Sequence, residues 1–450
     1  MAAKTPAPQE LAQNFLDWET SLDSSIFLPF QDMLWNENEN AFYRYNRDFG
    51  YWSKLSDGDL RTGKFARIIS DFLINKHHGL PITNARIAEI HDCLARQIKI
   101  RYDAPKPSIY SAFTDKTINF ETFETIPHSP ENFCFHSFAF STNDLSNPTP
   151  NFDSYLEKTF RDPADRALVF EMIGYFLLPQ QSLEPAAFYL YGQAKTGKTR
   201  LMNLILRIIG ERFCSSFSLQ SLTSSESTVA ELSGIRLNIL DEDESDRVSA
   251  DKFKALVNNT PIQARRLYQA AFTMRQFAKF LIASNQLPNF KHIDGLERRL
   301  HFLHFKEAIE KEEDDKRLDE KLRAEIPGIV GKALTHLQAF IDRNWEFNFS
   351  QSSIDLKNEF IRMVKPTTLY IMERCNIIPP SDTDTKWTSN QFIYEDYVIW
   401  CKESGHQSLA AQNFHRQLLS IAGIKTKIIH DKKLKNLVLK FDPYALKPLL

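Results

Sequence analysis

Glycine is scarce in this chain, 14 of 450 residues, so two at close spacing mark a place where the backbone must do something unusual. Cysteine is scarcer. Cys93, Cys134, Cys214, Cys375 and Cys401 stand far apart with no C-x-x-C pair. That spacing argues against a zinc site or a disulfide framework and favours reduced thiols in a cytosol-like compartment. No run of about 18 apolar residues occurs, so no helix is expected to span a membrane. The amino end, MAAKTPAPQE, lacks the basic-then-apolar order of a signal peptide. A surplus of one charge is missing as well. With 55 basic against 57 acidic residues the net charge is -2, so any contact with nucleic acid must come from local patches.

What is present fits a globular protein with large cores: 42% hydrophobic residues, with 35 Phe. At this length two or three domains are expected. The organising stretch is AFYLYGQAKTGKTRLMNLILRIIG, 187–210. Phe188, Tyr189, Leu190 and Tyr191 read as a buried strand. GQAKTGKT then fits G-x-x-x-x-G-K-[ST] in full. Gly192 and Gly197 let the backbone curl so that successive amides face a phosphate. Lys198 can reach the terminal phosphates and the Thr199 hydroxyl can ligate magnesium. Gln193, Ala194, Lys195, Thr196 and Arg200 complete the expected nucleotide-binding stretch. Leu201, Leu204, Ile205 and Ile208 recur at helical spacing, and the amino end of that helix favours an anion.

Three further pieces follow. GIRLNILDEDES (234–245) reads as a strand ending in Asp241 and Glu242, either of which could hold magnesium-bound water or orient the attacking water. FAKFLIASNQLPNF (277–290) reads as a strand ending at Asn285, whose amide could position water without carrying charge. DGLERRLHFLHF (294–305) places Arg298 and Arg299 before a strand, where one could serve as an arginine finger. Between the second and third strands, 253–276 carries Lys254, Arg265, Arg266 and Arg275 with Tyr268 and Phe272 interleaved. That composition suits a hairpin tracking a nucleic-acid backbone.

In the amino-terminal third, Phe42, Arg44 and Asn46 alternate with Tyr43 and Tyr45, predicting a strand and a turn near Gly50. Helices are expected at about 59–76 and 84–99, and a hairpin with turns at 114–116 and 127–130. PTPNFDSYL (148–156) reads as a linker, with a helix from Pro163 to Leu178 after it. Residues 306–325 read as a solvated charged helix. Pro366 and Pro379-Pro380 mark a second linker. Beyond it, helices near 391–403 and 411–422 and strands near 425–430 and 436–441 suit a winged helix. The last 46 residues carry eight basic against two acidic side chains. Lys432, Lys433 and Lys435 are the candidates to grip phosphates there.

The order of pieces resembles the superfamily-3 helicases, in the branch of phage and plasmid primase–helicases and their poxvirus relatives, from about Phe113 to the end. The family's l-K-x-l-x-x-G-D-x-i-x-A-R reads F-K-A-L-V-N-N-T-P-I-Q-A-R here (253–265), with Asn259-Thr260 in place of Gly-Asp. Its N-x-x-P is matched by Asn285 and Pro288, and its D-x-x-x-R-R by Asp294, Arg298 and Arg299. Its F-x-N-G segment departs to Phe113 with Asp115-Lys116, and its P-x-S-P-E-like stretch is Pro127 to Glu131. Leu318 to Ile329 is similar to L-x-x-x-L-x-x-E-x-x-G-I.

The resemblance implies an α/β fold: an AAA+-like P-loop ATPase core with a parallel sheet, an α+β amino-terminal domain and a winged-helix-like carboxyl-terminal domain. The expected boundaries are 1–157, 158–345 and 355–450. It implies an ATP- and Mg2+-dependent replicative DNA helicase working as a homo-hexameric ring. Each ATP would lie between subunits, with Arg298 or Arg299 acting in trans. The ring would track 3′ to 5′ on single-stranded DNA and open forked duplex. The expected setting is the cytoplasm of a bacterial host or an equivalent reducing compartment, with a separate primase or polymerase as a possible partner. The rival readings are a replication initiator or loader, and an ATPase that senses or remodels protein without processive unwinding.

Overall fold

The computed structural model describes residues 6–20, 33–36, 41–55, 64–77, 80–98, 100–102, 108–179, 184–241, 248–266, 270–288, 290–291, 295–307, 315–377, 387–406, 408–421, 424–429, 432–435 and 437–439. It is mixed α/β. At its centre is a five-stranded sheet, ordered Leu300–Phe305, Ala187–Gly192, Lys279–Ser284, Leu237–Asp241 and Cys214–Ser215. Every neighbouring pair is parallel.

Parallel strands are covered on both faces, and alternate residues divide accordingly. Phe188, Leu190, Leu281, Ala283, Leu303 and Phe305 join one core with helices Pro150–Thr159, Pro163–Leu177, Lys198–Ile209 and Ile326–Asp342. Ala187, Tyr189, Phe280, Ile282, Leu300 and Phe302 join the other, with helices Ala250–Val257 and Gln351–Val364. The first layer is packed tightly. A Cβ on Gly174 would stand 2.6 Å from the Ala333 carbonyl oxygen, and one on Gly331 1.8 Å from that of Leu145.

The amino-terminal strand and turn form as expected. Ala41–Asn46 pairs with Tyr51–Lys54 across a turn that ends at Gly50, φ +66°. Phe42 packs with Phe15, Phe72 and Leu94 of the flanking helices, while Tyr43 and Tyr45 pack with Trp52 on the opposite face. The helices run Lys64–Lys76 and Asn84–Gln97.

Three expectations are corrected. The second turn of the 110–126 segment lies at 120–124. There the Asn119 side-chain oxygen accepts from the Glu121 amide at 2.8 Å, closing an Asx turn. Residues 148–156 do not form a linker. Pro150 starts the helix Pro150–Thr159 and Phe152, Tyr155 and Leu156 are buried. Proline at the first helical position opens a helix as readily as it punctuates a loop. Pro366 does the same for Pro366–Arg374; Pro379-Pro380 lies outside the described residues. In the charged segment, the described helix is Leu318–Ala324.

Toward the carboxyl end, helices Asn390–Glu403 and Ala411–Ser420 enclose Tyr397, Trp400, Phe414 and Leu418 together with Tyr370. Thr426–Ile429 and Lys432–Lys435 are antiparallel, and Leu437–Leu439 pairs with Cys375–Ile377. Among the described residues, no helix is long and apolar enough to cross a membrane.

Candidate functional site

The strand Ala187–Gly192 must turn sharply to enter the helix Lys198–Ile209. Lys195 at φ +64° and Gly197 at φ +95° supply left-handed conformations for that turn. Gly192 is demanded by space: a Cβ there would stand 2.2 Å from the Phe305 carbonyl oxygen on the next strand. Within the loop, Thr196 Oγ1 donates to the Gln193 carbonyl at 2.9 Å. Lys198, 9% exposed, donates its ammonium to the carbonyls of Gly192 at 2.6 Å and Gln193 at 2.7 Å. The curl therefore closes over the lysine, while Gln193, Ala194, Lys195 and Thr199 remain exposed. The first amides of the helix have no carbonyl partners within it and carry the positive end of its dipole.

The other candidates arrive from neighbouring strands. Tyr191 pairs in register with Ser284, and Ala283 with Asp241. Asn285, exposed, thus emerges beside the loop, and Asp241, also exposed, emerges two strands away, about 10 Å. The gap is closed from the helix side: Thr199 Oγ1 donates to Asp241 Oδ2 at 3.2 Å. A hydroxyl and a carboxylate oxygen are hard donors that suit Mg2+, which is commonly held by one or two protein oxygens plus phosphates and water. Among the described residues no group of three or more His, Cys, Asp or Glu could hold a metal by itself. Glu242 lies outside the described residues.

Two supports were not legible in the sequence. The Tyr155 hydroxyl, from the stretch expected to be a linker, donates to the Gly197 carbonyl at 3.1 Å. Arg200 Nε donates to Asp319 Oδ1 at 2.8 Å. No motif marks Tyr155; only the apolar spacing of Phe152, Tyr155 and Leu156 could have placed it on a helix.

Arg298 and Arg299 stand at the opposite edge of the sheet. Leu300 pairs with Ala187 and Phe305 with Gly192, so the arginines lie about 17 Å along the strands from their own loop. Arg299 is tied down, donating to Asn258 Oδ1 and the Gly295 carbonyl. Arg298 is exposed, with no hydrogen bond or ion pair among the described residues. Asp294 lies outside them.

The same edge takes in two more cations, Lys279 buried and Arg236 half-buried. Lys279 Nζ donates to the Leu178 carbonyl at 2.5 Å and lies 5.2 Å from the Tyr175 ring centre. Arg236 Nη2 donates to the carbonyls of Leu177 at 2.8 Å and Leu178 at 3.1 Å. Both therefore cap the negative end of helix Pro163–Leu177. Burial, with Arg236 alongside, pushes the Lys279 ammonium far below the usual lysine range, and burial brings Arg236 down to about 10.

The basic segment is a helix followed by a hairpin. Ile262–Arg265 pairs with Ala271–Met274. Arg265 is exposed and the Arg266 guanidinium lies 5.3 Å from the Phe272 ring centre. Lys254 sits back on the helix and pairs with Asp251 at 3.1 Å. Tyr268 lies outside the described residues. Asn259, at the place of the family's glycine, has φ +52°. It keeps the left-handed turn with the non-glycine residue type that tolerates it best. Of the carboxyl-terminal lysines, Lys432, Lys433 and Lys435 share one strand. Lys433 is exposed, whereas Lys435 is buried and donates to Thr426 Oγ1.

A protein family of unknown function, DUF5906, matches residues 190–299, the span from the loop strand to Arg299. Among solved structures, the chain is similar to two apo structures of the NrS-1 C-terminal region. The first has 12% identity and a TM-score of 0.48, the second 12% and 0.45. Each covers 96% of this chain and 99% of the other.

Proposed function

We propose that this chain is a magnesium-dependent ATPase that works on DNA as a ring of identical copies, with the activity of a replicative helicase. One observation carries the reading. The Thr199 hydroxyl meets the Asp241 carboxylate at 3.2 Å, at the carboxyl ends of parallel strands where α/β sheets bind ligands. In this reading Thr199 and Asp241, with Glu242 beside it, hold magnesium, which shields phosphate charge when bound. Lys198 leaves its loop carbonyls for the β- and γ-phosphates, and the loop amides hold the same oxygens. The Asn285 amide orients the attacking water.

The second support is the arginine pair. At about 17 Å, farther than an arginine side chain extends, Arg298 and Arg299 cannot serve their own loop. They suit the loop of a neighbouring copy, and Arg298 is the one whose guanidinium is not already held. The 262–274 hairpin, with Arg265 and Arg266, is then the element that grips single-stranded DNA. The boundaries 1–157, 158–345 and 355–450 belong to the same proposal.

The deciding experiment mixes two inactive proteins. Lys198→Ala and Arg298→Ala each lose ATP turnover alone, and together recover a fraction of it, because a mixed ring contains seams with an intact loop and an intact arginine. No recovery at any ratio, or full turnover by a strictly monomeric preparation, would overturn the shared site. Stimulation by single-stranded DNA and opening of a forked duplex are expected of the wild type. Turnover without either would move the reading to an initiator or a protein-remodelling ATPase.

A further inference from the structure

The bond from Tyr155 to the loop belongs to a longer connection. The Gly197 carbonyl accepts twice, from the Leu201 amide at 3.2 Å and from the Tyr155 hydroxyl at 3.1 Å. The first bond is the opening turn of the helix. It directs the carbonyl along the axis, and because the peptide is planar and trans the Lys198 N–H on its other side points out of the helix's amino end. The second bond pins that peptide from outside. Burial holds the Tyr155 phenol above its ordinary pKa, so its O–H remains a donor.

Tyr155 is itself anchored. Its ring is buried against Phe152, 25° from parallel at 6.0 Å. The amino end of its helix is held by one buried carboxylate: Glu325 accepts from the Asn151 amide at 3.0 Å, the Asn151 side chain at 2.5 Å and the Phe152 amide at 2.9 Å. Glu325 directly follows the helix Leu318–Ala324, whose Asp319 holds Arg200 next to Thr199. The segment 318–325 therefore holds the junction of loop and helix at two points, through Arg200 in the helix's first turn and through Tyr155 on the Gly197 carbonyl.

We propose that Tyr155 is a positioning residue of the phosphate loop, setting the direction of the Lys198 amide, and that Glu325 positions Tyr155. This rests on the nucleotide reading of the loop. The hydroxyl acts on the resting loop, so it contributes equally to ground state and transition state; its loss raises KM and leaves kcat.

The test uses the full chain, with ADP and magnesium for binding and ATP for turnover. Tyr155→Phe keeps the ring and removes the donor. It is expected to weaken ADP binding about fivefold, the worth of one ordinary hydrogen bond, and to raise KM for ATP similarly. The kcat and the melting temperature of the nucleotide-free protein should stay near wild type. Glu325→Gln moves KM the same way by a smaller factor. Phe340→Leu, which loosens the same core where Phe340 packs on Trp345 and Phe347 and leaves the Tyr155 anchor in place, lowers the melting temperature and leaves KM alone. If Tyr155→Phe binds ADP like wild type while Lys198→Ala does not, the bond is packing only and the proposal is overturned. It is equally overturned if Phe340→Leu raises KM as much as Tyr155→Phe. If Lys198→Ala also binds ADP like wild type, the nucleotide reading falls and takes the proposal with it.

Discussion

Two lysines mark the two edges of the central sheet. Lys198 follows a strand at the carboxyl edge and Lys279 begins one at the amino edge. They are 9% and 6% exposed, and both ammonium groups are hydrogen-bonded to backbone carbonyls. Burial therefore does not separate them; their surroundings do. Lys198 is folded into a loop whose neighbours Thr199, Asp241 and Asn285 are exposed, beside helix amides that lack intrahelical partners. Lys279 is sealed with Arg236 against the carbonyl end of a helix. One faces the donor end of a helix, where an incoming anion is stabilised, and the other supplies the cations that an acceptor end requires.

The largest expected effect lies on the Lys198 side. Lys198→Ala should lower ATP turnover by roughly 10²–10³, the usual cost of removing one preorganised charge partner from a reacting group. Its urea midpoint should fall only modestly, because the Gln193 carbonyl keeps its bond from Thr196 Oγ1 and the buried Gly192 carbonyl loses this one donor. Steady-state turnover and a melt on the same preparation check both halves. A variant that keeps turnover would place Lys198 with Lys279 as a structural cation.

The loop was legible because its chemistry is local: G-x-x-x-x-G-K-[ST] between a strand and a helix implies its own geometry, and Lys195 and Gly197 do adopt the left-handed turn. The strands leading to Asp241 and Asn285 were legible as apolar runs with a polar stop. Their adjacency was not, since strand order is set by crossovers that leave no local mark. The supports from Tyr155, Glu325 and Asp319 join residues far apart in the chain, and the 148–156 stretch hid one of them behind prolines that open a helix. Asn259 stands where the resembling segment has glycine, and asparagine is the residue that reaches the left-handed φ without one. Arg236 and Lys279 gave no signal as helix caps, because a cation at a strand start reads as surface.

On the amino edge, Arg236→Leu removes the donor to the Leu177 carbonyl. Lys279 still covers Leu178, but Leu177 is left buried without that bond. A loss of about 1–3 kcal/mol in folding free energy is expected, measured by urea unfolding, with kcat for ATP unchanged at temperatures where the variant is folded. A drop in kcat without a drop in stability would mean that this edge serves the chemistry after all.

The smallest and most specific effect is that of Lys279→Met. The Leu178 carbonyl keeps its bond from Arg236, so no acceptor is orphaned, and a desolvated charge is removed. The variant is expected to match or exceed wild type by about 1 kcal/mol at pH 7. The pH dependence fixes the cause. The folded-state pKa of Lys279 is lowered, by burial first and by Arg236 second, while the unfolded lysine titrates near 10.4. Between those two values the unfolded chain binds more protons than the folded one, so stability rises with pH through that window. Wild type gains that increment and Lys279→Met does not. The variant's advantage should therefore be greatest below the folded pKa and shrink steadily as the pH approaches about 10. Paired urea midpoints at pH 7, 8, 9 and 10 read the difference directly, since titrations common to both proteins cancel. A gap that stays constant would mean the ammonium costs nothing in its burial, and the contrast between the two lysines would then rest on their neighbours alone.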